Sequence, residues 1–311
     1  MIEYNHKEYT IIMDRKYIEI TELNHEIACN PTKYILECEK AYKSQMEKIA
    51  ESIKLSPEIK FILLAGPSSS GKTTTAKLIK ETLKQNGFNA KTISLDDFFV
   101  ERVNTPKWED GTYNYEGVDA VDWKLFDKCM HELLDAGETI MPTYDFIAGK
   151  KFFKNKLVLG KKDIIVIEGL HSLNPVIDNF ISTNFSLKIY LSPLVDYIEH
   201  GETVMNEVTL RFFRRLIRDV YTRGASPEKT LNEWSKVRLG EKLYIDPFKH
   251  TANFTINSSH PYEVCVYRSI LKKLNLLDNK DFTRFAQPFE YFKSLDTSFV
   301  PKGSLIEEFI D

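Results

Sequence analysis

Apolar positions run through this chain of 311 residues in two alternating rhythms. Five stretches read as strands: the continuously apolar "KFILLAG" (60–66), then "AKTISL" (90–95), "DIIVIEG" (163–169), "LKIYLS" (187–192) and "NFTINS" (253–258). Short unbroken runs of this kind read as strands buried on both faces of a parallel sheet. Between most of them the apolar residues return at helical spacing. After Pro31, Ile35, Cys38, Tyr42, Met46, Ile49 and Ile53 share one helix face until Ser56-Pro57 breaks the pattern. "KTTTAKLIKETLKQNG" reads as a helix that stops at Gly87. Strands alternating with helices predict an α/β fold: a doubly wound, mostly parallel five-stranded sheet covered on both faces. Nearer the start, "YTIIMD" and "KYIEI" are expected to pair as short strands around "RK".

Two stretches depart from the alternation. "TIMPTYDFIAGKKFFKNKLVLG" (139–160) predicts an inserted β-hairpin that turns near Ala148-Gly149. "LRFFRRLIRDVYTRG" (210–224) predicts an amphipathic helix. Leu210, Phe213, Ile217 and Val220 form one stripe, and Arg211, Arg214, Arg215 and Arg218 fall largely on another. No Pro/Gly/Ser-rich linker divides the chain. The expected organisation is an N-terminal extension (1–55), a core (56–275) carrying the hairpin and the arginine helix, and a C-terminal tail (276–311) packed on that core.

Composition narrows the function. Apolar residues make up 42% and charged residues 28%, with a net charge of −3. No global field recruits nucleic acid or a membrane surface. The start has neither a basic region nor an apolar core, so no signal peptide is expected. No apolar run reaches the roughly 18 residues of a membrane span. The four cysteines lack metal-ligand spacing and read as reduced thiols of a cytoplasmic protein. The seven histidines form no metal-binding cluster, so no structural metal is expected.

"GPSSSGKTT" (66–74) carries the chemistry. Gly66, Gly71, Lys72 and Thr73 match GxxxxGK[ST] between a strand and a helix. Backbone N–H groups of Ser68, Ser69, Ser70, Gly71 and Thr74 are positioned to converge on phosphates, helped by the helix N-terminus. Lys72 can reach the β- and γ-phosphates, and the Thr73 hydroxyl can ligate Mg²⁺. The plain alternative is a chance glycine turn. Glu168, at the end of a strand, suits the second magnesium ligand; its alternative is a solvated strand end. Asp96 and Asp97 end another strand, where ligands meet open α/β sheets. One of them can accept a proton from an acceptor hydroxyl, unless the pair merely caps a helix. The arginines of 211–223 can cover a transferring phosphoryl group or form a solvated face. Gly224 suits the hinge of a lid. A guanine-reading NKxD is missing, since "DNKDF" (278–282) places its aspartate one residue early. These parts suit a small-molecule kinase better than a switch or a motor.

"GPSSSGKTT", "SLDDFF", "YNYEGVDAVD", "PTYDF", "DIIVIEGLHSLNP" and "RRLIRDVYTRG" occur in the order seen in the uridine kinase and phosphoribulokinase family, which this chain resembles from about residue 58 to about 260. The tail "FVPKGSLIEEFI" is similar to that of bacterial uridine kinase-like proteins. The resemblance implies a P-loop kinase that uses ATP or GTP with Mg²⁺ to phosphorylate a nucleoside 5′-hydroxyl. It implies Asp96 as the base, with Lys72 and Arg218 also catalytic. It places Tyr144 beside the acceptor's base, Arg215 and Arg218 at the acceptor site, Arg223 on the donor phosphates and Glu116 on the ribose hydroxyls. It also implies a small-molecule acceptor with no nucleic-acid or membrane partner, and a homo-oligomer. Three positions depart from the family pattern: Gly149 replaces a pyrimidine-reading histidine, Glu233 a glutamine, and Ala225 the last residue of "RGR". A sugar-like alcohol such as a phosphopentose remains a second acceptor class, and a nucleotide-binding regulator without kinase activity a third reading.

Overall fold

A computed structural model describes residues 14–310. In chain order the main elements are β1 (Lys16–Glu19), α1 (Ile20–Cys29), α2 (Pro31–Leu55), β2 (Phe61–Ala65), α3 (Lys72–Gln85), β3 (Ala90–Ser94), α4 (Trp123–Asp135), β4 (Glu138–Asp145), β5 (Lys150–Val158) and β6 (Ile164–Glu168). They continue with β7 (Ser186–Ser192), β8 (Val195–Glu199), β9 (Glu202–Asn206), α5 (Glu207–Arg223), α6 (Pro227–Tyr244), β10 (Phe254–Asn257) and α7 (Glu263–Lys273).

The central sheet has the order β10-β7-β2-β6-β3, and every pairing in it is parallel. Side chains of β2 alternate between two cores, as strand geometry requires. Ile62 and Leu64 join α2 and α3 on one face. Phe61 and Leu63 join α4 and the hairpin on the other. All five strands expected from the apolar runs are present, within about two residues of their predicted ends.

The inserted hairpin is β4–β5, with Asp145 opposite Lys150 and a turn that ends at Gly149 (φ 68°). Glycine adopts that left-handed backbone without steric penalty.

The N-terminal strands differ from expectation. Residues 9–13 of "YTIIMD" lie outside the described residues. "KYIE" forms β1, but it pairs in parallel with β8, and β8 pairs antiparallel with β9. Arg15 fixes this docking through Asp196 (3.1 Å) and Glu207 (2.8 Å). The β8–β9 hairpin turns on His200 (φ 52°) and Gly201 (φ 81°). A tight turn of this type usually shows Asn-Gly or Asp-Gly, and the histidine disguises it.

The arginine helix, α5, is not a two-stripe surface helix along its whole length. Arg211 and Arg214 are fully buried with Leu210, Phe212, Phe213, Leu216 and Ile217. Each has a carboxylate partner, which is what allows a guanidinium to leave water. The chain after α7 returns across the molecule. Phe282, Phe289, Phe292 and Ile306 enter the core shared with α5 and α7, while Leu305 and Phe309 enter the core beneath α2 and α3.

Candidate active site

The phosphate cradle follows β2. A Cβ at Gly66 would stand 2.3 Å from the Leu191 carbonyl oxygen, so only glycine lets the loop leave the sheet here. Ser69 (φ 60°) and Gly71 (φ 93°) both adopt left-handed backbone, which turns successive N–H groups inward before α3 begins at Lys72. Lys72 Nζ donates to the Pro67 carbonyl at 3.2 Å, within the loop it would serve.

The outward carbonyls of the loop are held by α5. Arg211 donates to Ser68 O (3.3 Å), and Arg214 donates to Ser69 O (3.4 Å) and Ser70 O (3.3 Å). Arg215 donates to Ser68 Oγ at 2.9 Å. Glu241 grips Arg211 with both oxygens at 2.8 Å, and Glu263 grips Arg214 at 2.7 and 2.8 Å. These buried pairs satisfy the carbonyls at the back of the loop.

The Thr73 and Glu168 side chains meet. Glu168 Oε1 accepts from Thr73 Oγ1 (3.1 Å) and from Ser94 Oγ (2.6 Å), while its Oε2 is buried without a partner. Burial raises this carboxyl to about 7; Asp96 adds to the rise, and Lys72 and the Ser94 hydroxyl oppose it. An orphaned carboxylate oxygen beside a hydroxyl fits Mg²⁺, which takes few protein ligands and fills its shell with phosphate and water oxygens.

The two aspartates after β3 separate in role. Asp97 Oδ1 accepts from the Tyr144 N–H at 3.2 Å, which ties the hairpin to the sheet, and burial raises its pKa. The half-buried Asp96 carboxylate makes no side-chain hydrogen bond or ion pair among the described residues. Its charge acts on Glu168, Glu116 and His171, so it lies among them. Glu116 is raised to about 7, mainly by burial, against the pull of Arg215 and Lys72. It presses on α6, where a Cβ at Gly240 would stand 2.2 Å from the Glu116 Cβ. His171 is fully buried beside this segment and lowered to about 4 by burial.

Three of the arginines share one carboxylate. Asp219 lies 3.3 Å from Arg215 Nε, 3.1 Å from Arg218 Nη2 and 3.6 Å from Arg223 Nη1. Glu233 stands 3.8 Å from Arg215 Nη2, and two carboxylates still leave the three guanidiniums in excess. Burial, with Arg218 and Arg215 nearby, lowers Arg223 to about 10.

The sequence profile of the phosphoribulokinase / uridine kinase family matches residues 61–264, from the cradle strand to the start of α7. The chain belongs to that family. It is a P-loop phosphotransferase. The family's uridine kinase from Mycoplasma genitalium is 27% identical over 204 residues, 65% of this chain and 87% of the relative. The uridine kinase of Borreliella burgdorferi is 28% identical over 227 residues, 72% of this chain and 99% of the relative. Among solved structures, D-glycerate 3-kinase from Cryptococcus neoformans aligns at a TM-score of 0.42 and 15% identity, over 70% of this chain and 88% of that one.

The other predicted residues lie around the hairpin and α5. The Arg223 guanidinium lies 4.8 Å from the Phe146 ring at the hairpin tip and within electrostatic reach of Asp96. Arg218 faces Asp219, and Glu233 lies 3.8 Å from Arg215 Nη2. Tyr144 is buried among Phe99 and Phe146 with its hydroxyl unpartnered. The space beside Gly149 is taken. A Cβ there would meet the Arg102 side chain at 2.8 Å, and Arg102 is held by the carbonyls of Phe146 and Ile147. The sequence reading missed Ser94, Asp219, Arg102, Glu241 and Glu263. Asp219 carries a signal of its own, as the one carboxylate within "RRLIRDVYTR" and four residues from both Arg215 and Arg223.

Proposed function

We propose that this protein transfers the γ-phosphoryl group of ATP to a hydroxyl of a small polyhydroxylated acceptor, within a catalytic unit spanning residues 56–275. Asp96 carries the reading. It is a carboxylate without a partner at the carboxyl end of β3, in electrostatic reach of both the Thr73–Glu168 pair and Glu116. A base must be free to accept the hydroxyl proton, and Asp97, tied to Tyr144, is not.

In this account the cradle N–H groups and Lys72 hold the donor phosphates, and Thr73 and Glu168 hold Mg²⁺. The ion neutralises charge on the transferring group when bound. Asp96 takes the acceptor proton, and Glu116 accepts hydrogen bonds from neighbouring hydroxyls. Arg215 and Arg218, over-supplied with positive charge around Asp219, face the charge that develops in transfer. The first half of α5 is locked by Glu241 and Glu263, which confines any closing motion to the half that ends at Gly224.

The uridine kinase relatives make a nucleoside 5′-hydroxyl the first acceptor to test. Arg102, filling the space beside Gly149, favours a second acceptor class, a sugar-like alcohol without a pyrimidine. A phosphorylated sugar is less favoured, because Lys151 and Lys156 of the hairpin are already paired with Asp122 and Glu138. The deciding experiment measures ADP release from MgATP across nucleosides, pentoses and polyols, with a no-acceptor control. Stimulation by any hydroxyl acceptor supports transfer and names its class. Nucleotide binding with no stimulation by any acceptor contradicts it.

A further inference from the structure

The Thr74 N–H, one of the helix-start donors expected for the donor phosphates, is already engaged. It donates to Glu308 Oε2 at 3.1 Å. The carboxylate comes from the far end of the chain, on a segment that is firmly seated. Leu305, Ile306 and Phe309 are fully buried. Ser304 Oγ donates to Glu39 Oε1 at 2.6 Å, and the Phe309 ring lies 5.0 Å from the Arg214 guanidinium that braces the loop. Leu305 covers the cradle glycine itself: a Cβ at Gly71 would meet Leu305 Cδ1 at 2.5 Å. One short segment therefore packs on Gly71 and places an anion on the next free amide.

The chemistry explains why the contact forms. The first N–H groups of a helix have no internal acceptor, and the helix N-terminus favours negative charge. Glu308 has no ion-pair partner among the described residues, so its charge stands uncompensated beside the cradle. A single N–H cannot serve this carboxylate and a donor phosphate together, and two anions at that distance repel. We propose that Glu308 is a resident occupant of the nucleotide site, holding the Thr74 amide until a donor phosphate displaces it. The tail is then a gate on nucleotide affinity, and nucleotide arrival loosens residues 304–310. This rests on the reading of residues 66–74 as the phosphate cradle.

The test is calorimetric titration of MgADP and MgATP into the full chain, Glu308→Gln and Glu307→Gln. Glu307 is the control, since its carboxylate accepts from Gly303 N at 2.7 Å and not from the cradle. Weakening the charge-assisted contact should lower the Kd of Glu308→Gln about tenfold. Glu307→Gln should bind like the parent. Equal or weaker binding by Glu308→Gln overturns the proposal and makes Glu308 a plain helix cap. Hydrogen exchange on the unmodified protein gives a second readout. MgADP should speed exchange in 304–310, and unchanged or slower exchange there contradicts displacement. If the parent binds nucleotide and Glu308→Gln binds no tighter, only the gate falls. If neither binds, the cradle reading falls with it.

Discussion

Arg214 and Glu263 meet fork to fork, at 2.7 and 2.8 Å, with neither side chain exposed. The pair does two jobs. Glu263 also accepts from His260 N–H (2.9 Å) and Tyr267 hydroxyl (3.0 Å), so it organises the start of α7. Arg214, held in place, reaches the carbonyls of Ser69 and Ser70. Glu263→Gln leaves a buried guanidinium without its charge partner. It should cost about 3–5 kcal/mol of folding free energy. Urea denaturation checks this, and a loss below about 1 kcal/mol would show that the pair is replaceable.

Gly240 permits the approach of α6 to Glu116. Gly240→Ala puts a methyl group 2.2 Å from the Glu116 Cβ. One of the two must move. Overpacking of this kind costs about 1–3 kcal/mol. The functional consequence is more selective. The KM for the acceptor should rise more than the KM for ATP, because Glu116 is displaced directly while the cradle is touched only through Glu241 and Arg211. Steady-state kinetics in both substrates separates the two; an equal rise in both would contradict the placement of Glu116 on the acceptor.

Glu116 also makes a pH-dependent contribution to stability. Its carboxyl is raised from the ordinary 4.5 to about 7, chiefly by burial. The folded protein keeps a proton that the unfolded chain releases, so it binds more protons between those two values. Stability from this group is present below about 4.5 and is lost as pH rises through about 7. Glu116→Gln cannot ionise. The melting temperature of the variant relative to the parent should therefore climb between pH 5 and pH 8, by about one to several degrees. A flat difference across that range would place Glu116 in water.

The sheet was legible because its signal is local. Five short strand-like runs, "KFILLAG" continuously apolar among them, alternate with helical patterns, and "GPSSSGKTT" between a strand and a helix fixes the loop. The hairpin turn was legible in Ala148-Gly149 for the same reason. What escaped was settled by partners distant in sequence. β1 pairs with residues about 180 positions later, and nothing in "KYIE" names that partner. Arg211 and Arg214 read as cover for a phosphoryl group or as a solvated face, and their burial escaped notice because their neutralising carboxylates, Glu241 and Glu263, lie 30 and 49 residues away. Position alone did not separate Asp96 from Asp97; the resemblance singled out Asp96, and the structure adds that Asp97 is tied to Tyr144. The positions of Arg223 and Gly149 were identifiable through the resemblance, but their contacts with Phe146 and Arg102 depend on how the hairpin folds back.

The central claim is that Asp96 takes the proton from an acceptor hydroxyl. It is tested most directly with Asp96→Asn, measured with the best acceptor by kcat and by MgADP titration. The amide keeps the shape and loses the base. The account predicts a kcat lower by about 10²–10⁴ with nucleotide Kd within about twofold of the parent. Full activity in Asp96→Asn would contradict it.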